Sequence, residues 1–311
     1  MADPTPLRLG WIGLGSMGLA MAQNIQKHLY ENNLPALRYS NRTLSRGEPL
    51  EGLGGVPDVI FISVSDDLAS KTVIEGILSS GSVTSKIILD TTTVHPDTTS
   101  SVSIQVQEAG ALFIAGPVFG ATPLAQAGKV LMAVAGPPQA IKIVSPFLKG
   151  VIARNVIEVD SDPSKALLLK TTSNFITAGL MFLLSEAHVL AEKSGLAATV
   201  LECLTEENFG AYAHGVSQRL TTGAYYPAEG KAPSSGLELG IKDVGIGMGV
   251  AKGVSVELKV GQLSMRAMEE AKVFGDEKGR KMDSSSVYGV VRQRAGLDFE
   301  SESVKKRDAE Q

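Results

Sequence analysis

An apolar strand running into a glycine-rich turn and then into a helix limits this chain to a small set of folds. Leu9-Gly10-Trp11-Ile12 leads directly into Gly13-Leu14-Gly15-Ser16-Met17-Gly18, and helical spacing continues from Ser16 to Glu31. A lone G-x-G-x-x-G is weak evidence, but here it closes a strand and opens a helix, where each glycine has a mechanical task. Gly13 makes the tight turn, Gly15 lets a pyrophosphate approach the backbone, and Gly18 lets helix and strand pack closely. The helix start offers unpaired N–H groups and the positive end of its dipole to the phosphates. Gly13, Leu14, Gly15, Ser16, Met17 and Gly18 are the expected dinucleotide-binding residues.

Short apolar runs alternate with helical stretches through the first half. Strands are predicted over 7–12, 36–40, 59–64, 87–90, 112–115, 130–135 and 155–159, with helices over 16–31, 67–78 and 97–109. That alternation argues for crossover units and a mainly parallel sheet covered on both faces. Asp162 followed by Pro163 reads as an N-cap and first-turn proline. From Lys165 to Ser194 a 3.6-residue period predicts a helix some 45 Å long. More helices are predicted near 199–208, 237–252, 258–274 and 284–294, with a long loop over 223–236. The expected fold is α/β, a doubly wound Rossmann domain over 1–161, followed by an all-helical domain over 162–295. Glu300, Glu302, Lys305, Lys306, Arg307 and Asp308 make 296–311 read as a solvated tail.

Composition removes several classes. With 29 Lys+Arg against 33 Asp+Glu, a formal net charge of -4, there is no electrostatic reason to expect nucleic acid or an anionic membrane as partner. The single Cys203 excludes an internal disulfide and fits a reducing compartment. His28, His95, His188 and His214 lack metal-ligand spacing, so no metal is expected. Met1 to Pro6 carries no secretory pattern. The uncharged run 109–128 is too interrupted by Gly and Pro to span a membrane. A cytoplasmic protein is the expectation.

The end of the second strand discriminates between cofactors. About 20 residues past the glycines, an NAD site places Asp or Glu on the ribose 2′-hydroxyl. Here Ser40-Asn41-Arg42-Thr43 stand instead, with Ser45 and Arg46 beyond. A guanidinium binds a 2′-phosphate through two parallel charge-assisted hydrogen bonds, whereas a carboxylate repels it. NADP(H) is therefore expected over NAD(H), with Asn41, Arg42 and Thr43 at the ribose. Thr92 and Thr93 follow a buried strand at its C-terminal end, where open α/β sheets bind ligands, so a functional role is expected there; Val64, Ser65 and Thr93 complete the expected cofactor set.

The stretch from Gly13 to Asn24 resembles the opening motif of the β-hydroxyacid dehydrogenases. This is the family of 3-hydroxyisobutyrate dehydrogenase and the glyoxylate/succinic semialdehyde reductases, related to 6-phosphogluconate dehydrogenase. Three more segments match in order. Asp90-Thr91-Thr92-Thr93-Val94-His95-Pro96 is similar to the family's Asp-x-Ser-Thr-x-x-Pro loop near the nicotinamide. Lys170-Thr171-Thr172-Ser173-Asn174 is similar to its Lys-x-x-x-Asn catalytic helix, and Lys242-Asp243 to its Lys-Asp motif. The resemblance covers roughly residues 7–295. It implies a small carbonyl or hydroxyacid substrate and a helical domain that also mediates assembly into a dimer or tetramer. It also implies Lys170 and Asn174 as catalytic and substrate-binding residues, Thr93 near both ligands, and Lys242 near the nicotinamide.

The chemistry suits those residues. Hydride transfer to a carbonyl leaves an alkoxide that must be stabilised and protonated. A lysine, with an ordinary pKa of about 10.4, arrives protonated near neutrality and can polarise the carbonyl and donate. Lys170 and Asn174 are four apart and share one helix face, with Thr177 and Met181 continuing it; Leu167, Leu168, Phe175, Leu183 and Leu184 supply core-facing surface.

Two departures from the family matter. Its substrate loop reads Asp-Ala-Pro-Val-Ser-Gly-Gly, where Ser-Gly-Gly holds the substrate carboxylate. Here the segment is Ala115-Gly116-Pro117-Val118-Phe119-Gly120-Ala121-Thr122, so Phe119 replaces a hydroxyl donor with a ring. The N–H groups of Gly120 and Ala121 remain able to bind an anion, and Phe119, Gly120 and Ala121 form the expected substrate loop. An apolar or bulkier carbonyl compound gains ground. The second departure is 44–57, too rich in Gly and Pro for the usual helix and strand, which predicts a reduced sheet edge. Two other readings stay open: an imine reductase, against which Lys170 argues, and a non-catalytic NADP-binding scaffold.

Overall fold

Continuous apolar runs bounded by turns become strands buried on both faces. The computed structural model, which describes residues 6–43 and 57–310, shows eight strands, the central ones buried in this way and the outer ones partly exposed. They are β1 (Leu9–Ile12), β2 (Arg38–Ser40), β3 (Val59–Ile62), β4 (Ile87–Asp90), β5 (Leu112–Ala115), β6 (Val118–Phe119), β7 (Val130–Ala135) and β8 (Ala153–Asp160). The sheet order is β2-β1-β3-β4-β5-β7-β6, with β8 against β7. From β2 to β5 all pairs are parallel; β7 then runs antiparallel to β5 and β6 and parallel to β8. Between the strands lie α1 (Ser16–Glu31), α2 (Asp67–Ser79), α3 (Pro96–Glu108), α4 (Thr122–Gln126) and α5 (Pro138–Val144).

Alternate residues of β3 serve opposite cores. Val59 and Phe61 pack with Trp11, Met21, Ile25 and Leu29, and the Phe61 ring stacks on Trp11 at 5.3 Å. Ile60 and Ile62 pack with Ile74, Ile88, Val102 and Phe113 on the other face. The expected broken connection over 44–57 lies, but for Pro57, outside the described residues; β2 beside it is a three-residue edge strand.

At the strands' N-terminal ends an ion cluster ties the sheet together. Asp58 accepts Arg8 Nη2 at 3.0 Å and Lys86 Nζ at 2.7 Å, one residue before β3, β1 and β4 respectively. The Arg8 hydrogen bond, more than any other contact, holds the Asp58 carboxyl far below its ordinary value. A depressed carboxyl contributes stability that is present above about pH 4 and lost as pH falls towards the folded-state value. Asp58→Asn should cost about 1 kcal/mol at pH 7, given partial exposure, and should flatten the acid limb of a stability–pH curve. An unaltered acid limb would remove Asp58 from the account.

The chain divides into two units, Met1–Lys170 and Thr171–Gln311. The division falls inside the long helix α6 (Ser164–Lys193), which is followed by α7 (Ala198–Thr221), α8 (Leu237–Gly253), α9 (Lys259–Glu277), α10 (Val287–Arg294) and α11 (Glu302–Ala309). By length and composition α6 is apolar enough to cross a membrane, and about a third (33%) of its most apolar window is buried in the chain. Much of the rest is a stripe at seven-residue spacing, Ile176, Leu183 and Leu190, each at least 60% exposed. Leu183 was expected to face the core and does not, because apolar residues encircle this helix and its neighbours cover only part of it. α7 runs longer than the predicted 199–208, bending at Gly210, where φ is +82°.

The tail is a second correction. Residues 296–311 were expected to be solvated, yet Phe299 is 1% and Val304 0% exposed, both within the core of the second unit. Two apolar anchors outweigh the charges: Glu302, Lys305 and Lys306 stay exposed, while Arg307 donates to the Gly223 carbonyl and Asp308 pairs with Arg280.

Candidate active site

The first turn is built to admit phosphate. A Cβ on Gly13 (φ +94°) would lie 2.2 Å from the Ser63 carbonyl oxygen, and one on Gly18 would lie 2.2 Å from that of Gly13. A Cβ on Gly15 would meet nothing within 4 Å, so open space lies in front of the helix start. That N-terminus has no side-chain cap and no acidic residue in its first turn. The geometry therefore fits a pyrophosphate held by backbone N–H groups. Ser16 is exposed and Met17 half-buried beside it.

Leu14 and Asn41 are joined to each other. The Leu14 N–H donates to Asn41 Oδ1 at 2.9 Å, and Asn41 Nδ2 donates to the Thr43 carbonyl at 2.8 Å. The Leu14 side chain is core, 1% exposed. This clamp fixes the end of β2 against the glycine turn, with Arg42 and Thr43 exposed immediately beyond it.

The ends of β3 and β4 form a second rigid edge. The Val64 N–H donates to Thr92 Oγ1 at 3.1 Å, and Thr91 Oγ1 donates to the Ile62 carbonyl at 2.8 Å. Asp90 accepts Ser70 Oγ at 2.7 Å and the Thr92 N–H at 2.8 Å. Burial pushes its carboxyl above the ordinary value, against the pull of those two donors. Thr92 is thus spent internally, whereas Thr93 and Val64 are half-buried and Ser65 is exposed with its hydroxyl on Asp66. The sequence signal for Asp90, an acid ending the apolar run Ile87-Ile88-Leu89, had been read only as part of a motif.

Phe119 lies on β6, paired with Leu131 of β7, and Gly120 (φ +138°) turns the chain into α4. Asn24 Nδ2 on α1 donates to the Ala125 carbonyl of α4 at 2.7 Å, stapling the segment after Phe119-Gly120-Ala121 to the dinucleotide helix. Lys170, 9% exposed, sets its Nζ over the Phe119 ring, 5.1 Å from the centroid.

In the second unit, Asn174 and Lys242 converge on one carboxylate. Asn174 Nδ2 donates to Asp243 Oδ2 at 3.0 Å, and Lys242 Nζ lies 3.0 Å from Oδ1. The amide nitrogen faces an acceptor-only group, so Asp243 fixes which side of the Asn174 amide donates. Thr177, one turn on, shares a 2.9 Å hydrogen bond with the Tyr212 hydroxyl, just past the bend at Gly210. Tyr212 escaped the sequence reading because the predicted helix stopped at 208.

This is a Rossmann-type oxidoreductase architecture. Residues 8–159 match the family model of the NAD binding domain of 6-phosphogluconate dehydrogenase. The chain is 27% identical over 297 residues to the NADH-dependent oxidoreductase ucdB of Aspergillus ustus, covering 91% of this chain and 98% of that protein. It is 26% identical over 305 residues to 2-(hydroxymethyl)glutarate dehydrogenase of Eubacterium barkeri, covering 94% and 97%. The structure of Mycobacterium tuberculosis 3-hydroxyisobutyrate dehydrogenase with L-serine superimposes with a TM-score of 0.76 at 17% identity, covering 92% and 99%. Along its length the chain is thus similar to members of the β-hydroxyacid dehydrogenase family.

Proposed function

We propose that this oxidoreductase uses NADP(H) to interconvert a small β-hydroxyacid and its aldehyde or keto counterpart, with Lys170 as the proton-transferring residue. The observation that carries the reading is a nine-tenths-buried lysine set against the loop that corresponds to the family's substrate loop. Reduced nicotinamide supplies the hydride. Lys170, as an ammonium, polarises the carbonyl oxygen and gives it a proton as the alkoxide forms. Asn174, its amide oriented by Asp243, offers its oxygen as an acceptor to the substrate. Asp90 and Thr92 hold the strand ends rigid beneath Thr93.

Steady-state reduction of glyoxylate, succinic semialdehyde, methylmalonate semialdehyde and a cyclic imine, each with NADPH and NADH, tests the reading. Turnover of an aldehyde or keto acid is expected. Turnover of the imine alone would transfer the assignment to C=N reduction, which the ring of Phe119 would favour, and a complete lack of turnover would favour a scaffold.

The coenzyme preference rests on Arg42. It is exposed one residue past the Asn41 clamp, where a 2′-phosphate can take a bidentate contact. Arg42→Ala should lower the NADPH-to-NADH ratio of kcat/KM by about tenfold or more, as loss of a charge-assisted pair implies. The Aspergillus relative is NADH-dependent by name, so an unchanged ratio would place this chain beside it.

A further inference from the structure

We propose that Phe119 is a positioning residue for Lys170, its ring face holding the ammonium charged and in place where the family's loop carries a serine. This rests on the reading of Lys170 as proton donor and adds the device that keeps the proton there.

Two observations carry the proposal. Lys170 Nζ lies 5.1 Å from the centroid of the Phe119 ring, within the range in which the negative face of an aromatic attracts a cation. The same lysine is 9% exposed, so burial alone would favour the neutral amine, which has no proton to give. An aromatic face opposes that loss without offering an acceptor. A carboxylate beside Lys170 would hold the charge too, but it would compete with the substrate oxygen for the ammonium's donors and repel an acidic substrate. A π face itself takes up none of the ammonium's hydrogen bonds.

The ring is held firmly enough for the purpose. Phe119 sits in β6, registered with Leu131, and Val118 with Met132. At Gly120 a Cβ would approach Leu124 Cδ1 to 3.1 Å, so the backbone leaves the ring in a confined left-handed turn. Lys170 is anchored in the first two turns of α6, beside the buried Ala166 and Leu167.

The test separates the electrostatic role from mere bulk. Phenylalanine at 119 is replaced in steps by its 4-fluoro, 3,5-difluoro and 3,4,5-trifluoro analogues, which drain the negative ring face with little change in shape. On the most rapidly reduced of the four carbonyl and imine probes, kcat is expected to fall stepwise, reaching about five- to thirtyfold with three fluorines, while KM for NADPH stays flat. Phe119→Leu should fall as far, and Phe119→Tyr should retain most of the activity. A level fluorine series alongside an inactive Lys170→Ala would overturn the role of Phe119 and leave the lysine's role intact. An active Lys170→Ala would overturn the lysine's role.

A readout without turnover judges the contact itself. In 13C-lysine-labelled protein, the Cε–Hε cross-peak missing from Lys170→Met is expected upfield of other lysines through the ring current of Phe119. It should return to the common position in Phe119→Leu. An ordinary position in the unaltered protein, or no movement on Phe119→Leu, would overturn the proposal whatever the enzyme reduces.

Discussion

Lys170→Ala should lose carbonyl reduction by about 10²- to 10⁴-fold, the contribution usual for a positioned general acid, while still binding NADPH. The two parts of that result are separable because the parts of the site are. Backbone N–H groups at the start of α1, the Asn41 clamp and Arg42 make the proposed cofactor cradle, and none of them is built on the lysine side chain. Removing a nine-tenths-buried side chain at one position leaves a small void beside Phe119, which folding should survive. Binding is read from quenching of intrinsic Trp11 fluorescence or from calorimetry, and turnover from NADPH absorbance. Near-normal turnover would end the assignment. Loss of both binding and turnover would mean that α6 had shifted, and Lys170→Met, which keeps the stem's apolar volume, distinguishes that case.

What the sequence made legible follows from which signals are local. β4, β5, β7 and α1 stand at the predicted residues, because buried strands and an amphipathic helix announce themselves by runs and period. The two-residue β6 and five-residue α4 are too short to establish any period, and they are the elements that place Phe119. Asn24 and Asn41 sat within recognised motifs, but their partners, the Ala125 carbonyl and the Leu14 N–H, lie 101 and 27 residues away. No spacing rule connects such pairs. Phe119 was noticed as the loss of a hydroxyl; that its ring would meet Lys170 depended on tertiary contact. Asp243 was similar, legible as the neighbour of Lys242 but not as the acceptor that orients Asn174.

The tail was misread for a related reason, and it carries the largest expected effect on stability. The charges after Gly296 dominate its composition, whereas burial is decided by single residues. Phe299 stacks on Phe274 with centroids 3.9 Å apart and meets Tyr226 edge-on at 5.5 Å. The Tyr225 hydroxyl locks the backbone on either side, donating to the Phe299 carbonyl and accepting the Ser301 N–H, each at 2.7 Å. Burial pushes that phenol up to about 12, so it remains a donor across the working range. Phe299→Ala should therefore cost about 3–5 kcal/mol, the range for a large aromatic removed from a core, and lower Tm on the order of 10 °C. Gly289 gives the independent check. A Cβ there would sit 2.4 Å from the Phe299 ring, so Gly289→Ala should destabilise strongly by itself. In the Phe299→Ala background the added methyl enters vacated space, and most of its cost should vanish. That coupling, read from chemical denaturation of the four proteins in a double-mutant cycle, should exceed about 1 kcal/mol. Additive effects, or a Tm unmoved by Phe299→Ala, would show that residues 296–310 do not seal this core.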